Sequence, residues 1–374
     1  MPVRILAAIA VALACVHASI AAAQQAPHPA GWDDLVAAAR KEGALELSLN
    51  GQVPLKVRKA LPAFEKRYGI KVNTHRGGAR EQSARILAEQ RAGRRTIDMW
   101  LGGASAAIDV FLPNRMLRRM DEMLIHPEVI NPKSWHGGQI PFLDGGRRYV
   151  VVWGAAPSHP IVHNSDLVKP EEIRSYFDVF NPKWKGKIIA SAPGSAGSFS
   201  TVLPMYLNPR IGEEWFRRLA SEMDVTYVKD PRQGAEWIAM GRYAIGLFAL
   251  GSQARTLQKQ GFPIREYFPH DMKEGGNLQN GAGNLFAFTD APHPNAAKLF
   301  ANWALSREAQ ALFIKYGERT DSLRNDVPND TIPEHIRIKP NVEYFIGFTH
   351  PDFIPRAREI NTRLKEILRD SGRK

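Results

Sequence analysis

The sequence predicts an α/β fold built from two units, and three observations lead to this expectation. Segments typical of strands and helices alternate along the chain, and glycine closes the first predicted helices. The chain has 374 residues, which is enough for two domains that each bury a core. Hydrophobic residues make up 44% and charged residues 24%, a balance that excludes a polytopic membrane protein and a disordered chain. The single cysteine, Cys15, excludes a disulfide framework and a multi-cysteine metal site within one chain.

The first 23 residues have the pattern of a secretory signal peptide. Arg4 gives a positive start, an apolar run follows from Ile5 to Ala14, and three alanines end at Ala23. We therefore expect residues 1–23 to be removed by cleavage after Ala23. A membrane anchor fits less well, because the apolar run is shorter than the ~20 residues of a membrane span. A lipoprotein acylated at Cys15 is a second alternative, although the preceding residues match the usual lipidation pattern poorly.

The first part of the mature chain alternates regularly between strand and helix patterns. Apolar spacing and alternation predict helices over 33–41, 57–68 and 81–92, and strands over 44–49, 70–74 and 97–101. Pro62 should kink or restart the second helix, because proline lacks an N–H and its ring clashes with the preceding turn. This order is typical of a parallel sheet.

The alternation resumes later in the chain. Residues 149–153 are too apolar for a surface loop. The patterns that follow predict strands over 187–190, 243–248 and 285–288, and helices over 213–220, 233–240, 294–316 and 354–369. The helical stretch over 294–316 is long enough for two helices that meet at Ser306. The last helix places Ala357, Ile360, Leu364 and Ile367 on one face. There is no internal repeat and no low-complexity linker, so short crossings should join the two units.

The sequence carries no recognisable catalytic motif. It has no Gly-x-Ser-x-Gly elbow, no His-Glu-x-x-His, no Walker loop and no dinucleotide-binding glycine motif, and its 11 histidines are dispersed. We therefore expect no enzyme activity, no cofactor and no metal site. Basic residues outnumber acidic ones by 50 to 38, which favours an anionic partner. Nucleic acid is not expected, because no stripe of basic and aromatic residues is present.

Small, glycine-rich turns follow several of the predicted strands. Ligands of open α/β sheets bind outside the carboxyl ends of the strands, where glycine admits the ligand and helix starts offer N–H groups. Arg76 adds a planar set of donors that suits a carboxylate or a phosphate. A surface ion pair between Arg76 and Glu81 is the alternative. The candidate ligand contacts from these turns are Asn50, Gln52, Arg76, Gly77, Gly78, Gly103, Ser105, Ser195, Gly197 and Ser198.

Several segments resemble periplasmic solute-binding proteins of ABC importers, in particular the ferric-ion-binding and related family. The segments are Leu-Pro-Ala-Phe-Glu-Lys-Arg-Tyr-Gly-Ile at 61–70, Asn-Pro-Lys-Trp-Lys-Gly-Lys-Ile at 181–188, and Ala-Pro-His-Pro-Asn-Ala-Ala-Lys-Leu-Phe-Ala-Asn-Trp at 291–303. The resemblance implies a two-lobed periplasmic-binding-protein fold of type II. Each lobe would hold a mostly parallel sheet flanked by helices, and two crossing segments would act as a hinge. It also implies delivery of the solute to an ABC permease in the inner membrane.

The same resemblance implies where the lobes divide. The first crossing would fall near Trp153 to Pro157, and the return crossing near Asn280 to Asn284. Lobe one would then hold residues 24–155 and 283–322, and lobe two residues 156–282 and 323–374. Asn280, in the return crossing, joins the candidate ligand contacts.

One departure from the family concerns iron. The ferric-ion binders carry adjacent tyrosines just after the strand that corresponds here to residues 244–248. The matching positions are Gly251 and Ser252. Glycine has no side chain to coordinate iron, and serine is a far poorer anionic ligand than a tyrosine phenolate. We therefore expect no tight binding of ferric iron, and Ser252 is kept as a candidate contact to another ligand.

These observations predict a monomeric periplasmic component of an ABC importer that captures a small organic or phosphorylated anion. Three alternatives stay open at this point. The first is a ferric-iron-binding protein with other ligands, the second is an exported enzyme that uses the same cleft, and the third is the sensor partner of a signalling receptor.

Overall fold

The structure, a computed structural model, describes residues 28–192, 198–351 and 353–370. The predicted signal peptide lies outside these residues. The α-helices are α1 (Trp32–Glu42), α2 (Gln52–Val57), α3 (Leu61–Tyr68), α4 (Ala79–Arg91), α5 (Met120–Met123), α6 (Pro127–Ile130), α7 (Ser198–Leu207), α8 (Gly212–Glu222), α9 (Pro231–Ala239), α10 (Gly251–Lys259), α11 (Pro294–Ala304), α12 (Arg307–Gly317) and α13 (Phe353–Asp370). None of the helices in the described ranges is both long and apolar enough to cross a bilayer.

The β-strands are short and are spread over the whole described chain. They are β1 (Ala44–Leu49), β2 (Lys71–Arg76), β3 (Met99–Gly102), β4 (Val151–Val152), β5 (Gly154–Pro157), β6 (Ile161–Asn164), β7 (Ile188–Ser191), β8 (Val225–Val228), β9 (Ile245–Leu247), β10 (Ile264–Glu266), β11 (Gly276–Gln279), β12 (Asn284–Ala287), β13 (Asp321–Ser322) and β14 (Tyr344–Phe345).

Two predicted helix boundaries follow directly from single residues. Pro62 lies in the first turn of α3, so the expected restart occurs there, after a short 3-10 turn that separates α3 from α2. Ser306 separates α11 from α12, and its hydroxyl accepts a hydrogen bond from the backbone N–H of Ala309. A serine in this position satisfies a donor that the start of α12 would otherwise leave unpaired. Both predictions are confirmed.

Two five-stranded sheets form the centres of the molecule, and both follow the same plan. The strand order is β2-β1-β3-β12-β4 in the first sheet and β8-β7-β9-β6-β10 in the second. Three neighbouring strands are parallel in each sheet, and the fourth strand, β12 or β6, is antiparallel to both of its neighbours. Four of the five strands therefore run in one direction in each sheet. This confirms the expectation of mostly parallel sheets.

Each sheet has its own hydrophobic core. The first core contains buried aromatic side chains such as Trp100, Phe286 and Phe300. The second core is built around Trp215 and includes Ile360, Leu364 and Ile367 from one face of α13. Since this face was predicted from apolar spacing alone, the burial confirms the last helix.

A smaller four-stranded sheet lies between the two larger ones, with the order β13-β5-β11-β14. The chain leaves the first sheet after β4, passes through β5 and enters the second sheet at β6, and it returns through β11 to β12. We call β5 and β11, which pair antiparallel, the crossing strands. The return crossing was expected near Asn280 to Asn284. The return strand β11 ends just before that segment, and residues 280–283 form the turn that leads into β12. The lobe boundaries at 155 and 283 stay a prediction.

The two chain segments that cross approach each other closely at two glycines. The backbone N–H of Trp153 donates to the carbonyl of Gly283 at 2.9 Å. A Cβ atom placed on Gly283 would lie 2.1 Å from the carbonyl oxygen of Gly154, far inside contact distance. The residue at 283 must therefore be glycine for the backbones to pack at this distance.

Candidate functional site

The carboxyl ends of β1, β2 and β3 meet at one edge of the first sheet. Leu49, the last residue of β1, is paired with Arg76 on one side and with Leu101 on the other. The three turns that follow these strands are therefore neighbours, as the sequence predicted. They bring together the candidate residues Asn50, Gly77, Gly78 and Gly103.

Asn50 and Asn280 hold these turns in place. The Asn50 Nδ2 donates to the carbonyl of Gly77 at 3.0 Å. The Asn280 Nδ2 donates to Asn284 Oδ1 at 2.7 Å, and Asn284 Nδ2 donates to the carbonyl of Gly102 at 2.9 Å. Both predicted asparagines thus join the turns of the sheet edge, and Asn280 extends this network to the return crossing.

Gln82 is a part of this edge that the sequence analysis missed. Its Nε2 donates to the carbonyls of Leu49 and Gly77, at 3.1 and 2.9 Å, and its Oε1 accepts from the hydroxyl of Ser48. Only 3% of Gln82 is exposed. A glutamine within a helix pattern is usually a surface residue, so only its contacts reveal that it fixes two turns.

Arg76 lies on the outermost strand of the first sheet and is exposed, as are Gly77 and Gly78. No ion pair joins Arg76 to Glu81, and its side chain forms no hydrogen bond or ion pair within the described ranges. The surface-pair alternative is therefore not observed. The guanidinium group stands at the carboxyl edge of the sheet with its donors available.

A cavity of about 500 Å³ opens beside this edge. It lies between segment 103–109 after β3, the end of β11, helix α7 beyond the second sheet, and the beginning of α13. Of the predicted residues, Gly103, Ser105 and Asn280 line it. Its remaining lining residues are Ala104, Ile108, Asp109, Leu143, Leu203, Pro204, Leu278, Gln279, Gly281, Phe348, Phe353, Ile354 and Ala357.

The lining of this cavity is mostly apolar, and Asp109 is its one charged member among the described residues. Phe353 contributes to the wall and also packs against the cores of both large sheets. Two further cavities, of about 510 and 640 Å³, contain none of the predicted residues. We therefore take the cavity beside the sheet edge as part of the candidate site, although both of the others are larger.

The second sheet presents helix starts at its carboxyl edge. Helix α7 begins at Ser198, and helix α10 begins at Gly251, shortly after β9. Ser195 and Gly197 lie outside the described residues. Ser252 is exposed at the start of α10 but does not line the cavity, and Gln52 is the first residue of α2 in the first sheet's half.

Gly251, the position that the sequence resemblance matches to a tyrosine of the ferric-ion binders, lies against an ion pair. A Cβ atom on Gly251 would lie 2.1 Å from Glu266 Oε1. The Glu266 side chain is 5% exposed, and both of its oxygens lie within 2.5–2.7 Å of Arg255 Nη1. A tyrosine at 251 would therefore have to displace this carboxylate. Within the described ranges, no group of three or more His, Cys, Asp or Glu side chains is placed to hold a metal ion.

Comparison with known proteins assigns the family. Residues 54–319 match the sequence profile of the bacterial extracellular solute-binding proteins, which is more than half of the chain. This chain belongs to that family. The resemblance stated from the sequence is thereby confirmed.

Two relatives of this solute-binding protein have known sequences of comparable length. A protein of Haemophilus influenzae is 25% identical over 274 residues, which cover 70% of this chain and 73% of the relative. Iron uptake protein A1 of Synechocystis is 24% identical over 272 residues, which cover 67% of this chain and 68% of the relative.

Solved structures share the fold of this solute-binding protein. They include the ferric iron-binding protein A of Mannheimia haemolytica in an open conformation (TM-score 0.67, 15% identity, 88% of this chain and 99% of that one). A Trichodesmium protein, IdiA or FutA, in complex with iron and citrate matches with a TM-score of 0.64, at 19% identity over 89% of this chain and 100% of that one. AfuA of Actinobacillus pleuropneumoniae, with fructose-6-phosphate bound, gives 0.54 at 20% identity over 87% and 98%. These matches confirm the fold class.

Proposed function

We propose that this protein is the periplasmic substrate-binding component of an ABC importer and that it captures a small organic or phosphorylated anion between two lobes. The observation that carries this proposal is the exposed Arg76, which has no side-chain partner in the described ranges and stands where three glycine-rich turns meet. An arginine at the carboxyl edge of an α/β sheet is well placed to bind a carboxylate or a phosphate.

The second sheet supports the same interpretation from the opposite side. Helices α7 and α10 begin at its carboxyl edge, and helix starts favour negative charge because their first N–H groups are unpaired. Since the crossing strands connect the two sheets, hinge closure would bring the helix starts towards Arg76. The anion would then be held by donors from both lobes.

Iron is the second candidate cargo, since a relative is named an iron uptake protein and a neighbour holds iron with citrate. Gly251 argues against a tyrosine-based ferric site, because the Glu266–Arg255 pair fills the space that a tyrosine would need. Fructose-6-phosphate in another neighbour shows that this fold also carries organic phosphates. We therefore favour an organic or phosphorylated anion over ferric iron.

The first experiment identifies the ligand. Native mass spectrometry of freshly purified protein should reveal a retained small molecule, and that molecule should carry a negative charge. A neutral or cationic ligand would contradict the proposal. A ligand that is chemically converted while bound would favour the exported enzyme instead.

The second experiment tests Arg76 by calorimetry with the retained anion, and with citrate and fructose 6-phosphate as defined probes. Arg76→Ala should weaken binding about tenfold to a hundredfold, because a charge-assisted contact contributes roughly 1.5–3 kcal/mol. Arg91→Ala is the matched control, since Arg91 is also exposed but ends α4, which begins next to the site. Equal affinity in all three proteins would contradict the role of Arg76.

Export is tested separately. The mature protein recovered from the periplasm of the producing cell should begin at Gln24, as intact-mass measurement would show. A mature chain that retains Cys15 with an acyl group would replace this expectation with a lipoprotein.

A further inference from the structure

The cavity beside the sheet edge has the wrong lining for the charged part of an anion. Ten of its lining residues are Ala, Ile, Leu, Pro or Phe, and the described lining contains no lysine or arginine. The one charged residue in the described lining, Asp109, is an acid and so provides no positive partner for an anionic group. Burying a charge between apolar walls without a partner is also costly. The cavity is therefore suited to an uncharged, apolar part of a ligand.

The cavity nevertheless lies beside the edge where we propose that the anion binds. Gly103 lines it, and a Cβ on Gly103 would lie 3.5 Å from Asn50 Oδ1. Asn50 in turn donates to the carbonyl of Gly77, the residue after Arg76. Arg76 and Leu101 flank Leu49 on either side, so two strand spacings, about 10 Å, separate the arginine from the strand that leads to the cavity.

We infer that the solute is an amphiphilic anion, whose carboxylate or phosphate lies at Arg76 and whose apolar body of aliphatic or aromatic carbon fills the cavity. This inference rests on the proposed function, because it assumes that the anion binds at the sheet edge. Ile108, Leu203 and Phe353 then select the body of the ligand, and they come from three separate segments of the chain.

The occupant is a ligand and not a part of the protein for two reasons. The cavity already receives walls from both halves of the molecule and from α13, and a volume of about 500 Å³ remains. That volume is in the range of small-molecule sites, which are mostly apolar with a few polar groups that fix orientation. Ser105, Gln279 and Asn280 provide such polar groups at its margin.

The test measures the affinity of the full mature chain for acetate, hexanoate, decanoate and dodecanoate, with citrate and fructose 6-phosphate as polar anions. The longer chains are included because about ten carbons are needed to span the roughly 10 Å between Arg76 and the strand that leads to the cavity. Affinity should rise about fourfold for each methylene that enters the cavity. Dodecanoate should bind more tightly than acetate by at least an order of magnitude. The hydroxylated or multiply charged anions should gain nothing from the cavity.

Two variants test whether the gain in affinity with chain length arises in the cavity. Ala104→Phe should fill the cavity and abolish the gain with chain length, while acetate binding stays near its original strength. Ile108→Ser should reduce the gain, and Ile130→Ser is its matched control, because Ile130 is exposed and lies outside the cavity. The measurement of affinity against chain length uses the unmodified protein, so it still tests the inference if a variant fails to fold.

The outcomes separate this inference from the proposed function. If citrate or fructose 6-phosphate binds and depends on Arg76 while affinity does not rise with chain length, the amphiphilic ligand is wrong and the anion-binding function stands. If none of the anions binds but a neutral apolar compound does, both are wrong. A chain-length gain that Ala104→Phe leaves intact would show that the apolar body lies elsewhere and would overturn the assignment of the cavity.

Discussion

The close approach of the crossing segments at Gly283 leads to a sharp prediction about stability. Gly283→Ala would place a methyl group 2.1 Å from the carbonyl oxygen of Gly154. Both groups are backbone or directly attached to it, so no side chain can rotate away to relieve the overlap. The two segments would have to separate by more than about 1 Å to restore an ordinary contact.

The loss in the free energy of unfolding can be estimated from the hydrogen bond that this separation would break. The hydrogen bond from Trp153 N–H to the Gly283 carbonyl is 2.9 Å long, and a 1 Å movement would take it beyond hydrogen-bond distance. Trp153 is fully buried, so its unpaired N–H would cost about 1–3 kcal/mol. Overpacking adds about 1–3 kcal/mol, and the lower entropy of the unfolded chain offsets about 0.4–1 kcal/mol. We expect a net loss of about 1–6 kcal/mol.

Urea unfolding followed by tryptophan fluorescence measures this loss. The Gly283→Ala midpoint should fall clearly, with an unchanged dependence of free energy on urea. Gly317→Ala is the matched control, because a Cβ at Gly317 meets Val53 at 3.4 Å, an ordinary contact. The control should unfold near the original midpoint or slightly above it. If the two variants unfold at the same urea concentration, the close approach at Gly283 does not constrain the crossing segments and the expected destabilisation is wrong.

Three further predictions concern motion, iron and pH. Saturation with the retained ligand should lower the radius of gyration in small-angle scattering, as the lobes close about β5 and β11; an unchanged radius with confirmed binding would count against the hinge. Incubation with ferric citrate followed by desalting should leave a colourless protein, because Gly251 and Ser252 offer no phenolate; a persistent charge-transfer band with one iron per chain would disprove this. Burial lowers the pKa of His163 to about 4, so the unfolded chain binds the proton first as the pH falls, and this residue should contribute at most about 3 kcal/mol to the loss of stability between pH 6.5 and 4. The urea midpoint should fall less between pH 6.5 and pH 4 in His163→Gln than in the unmodified protein. An equal fall in both proteins would show that His163 does not cause the pH dependence.

Local structure could be predicted from the sequence because its causes are local. The alternation in residues 44–49 predicted β1 with its observed bounds. Pro62 and Ser306 marked helix starts because one side chain removes or satisfies a backbone donor within a single turn. The glycine-rich turns could be placed at one edge because parallel strands share their carboxyl ends. Asn50, Gly77 and Gly103 were found in this way.

What the tertiary structure alone decided depends on residues that are distant in sequence. The cavity beside Gly103 receives Leu203 from α7 and Phe353 from α13, and no local pattern relates these segments. The contact of Gly283 with Gly154, and the filling of the space at Gly251 by Glu266, likewise arise only once separate segments pack together. Periodicity reports which face of an element is apolar, but it does not report which other element covers that face. The sequence therefore determined the elements and which turns meet at one edge of the first sheet, where we propose that an anion binds. The packing decided that an apolar cavity lies beside that edge.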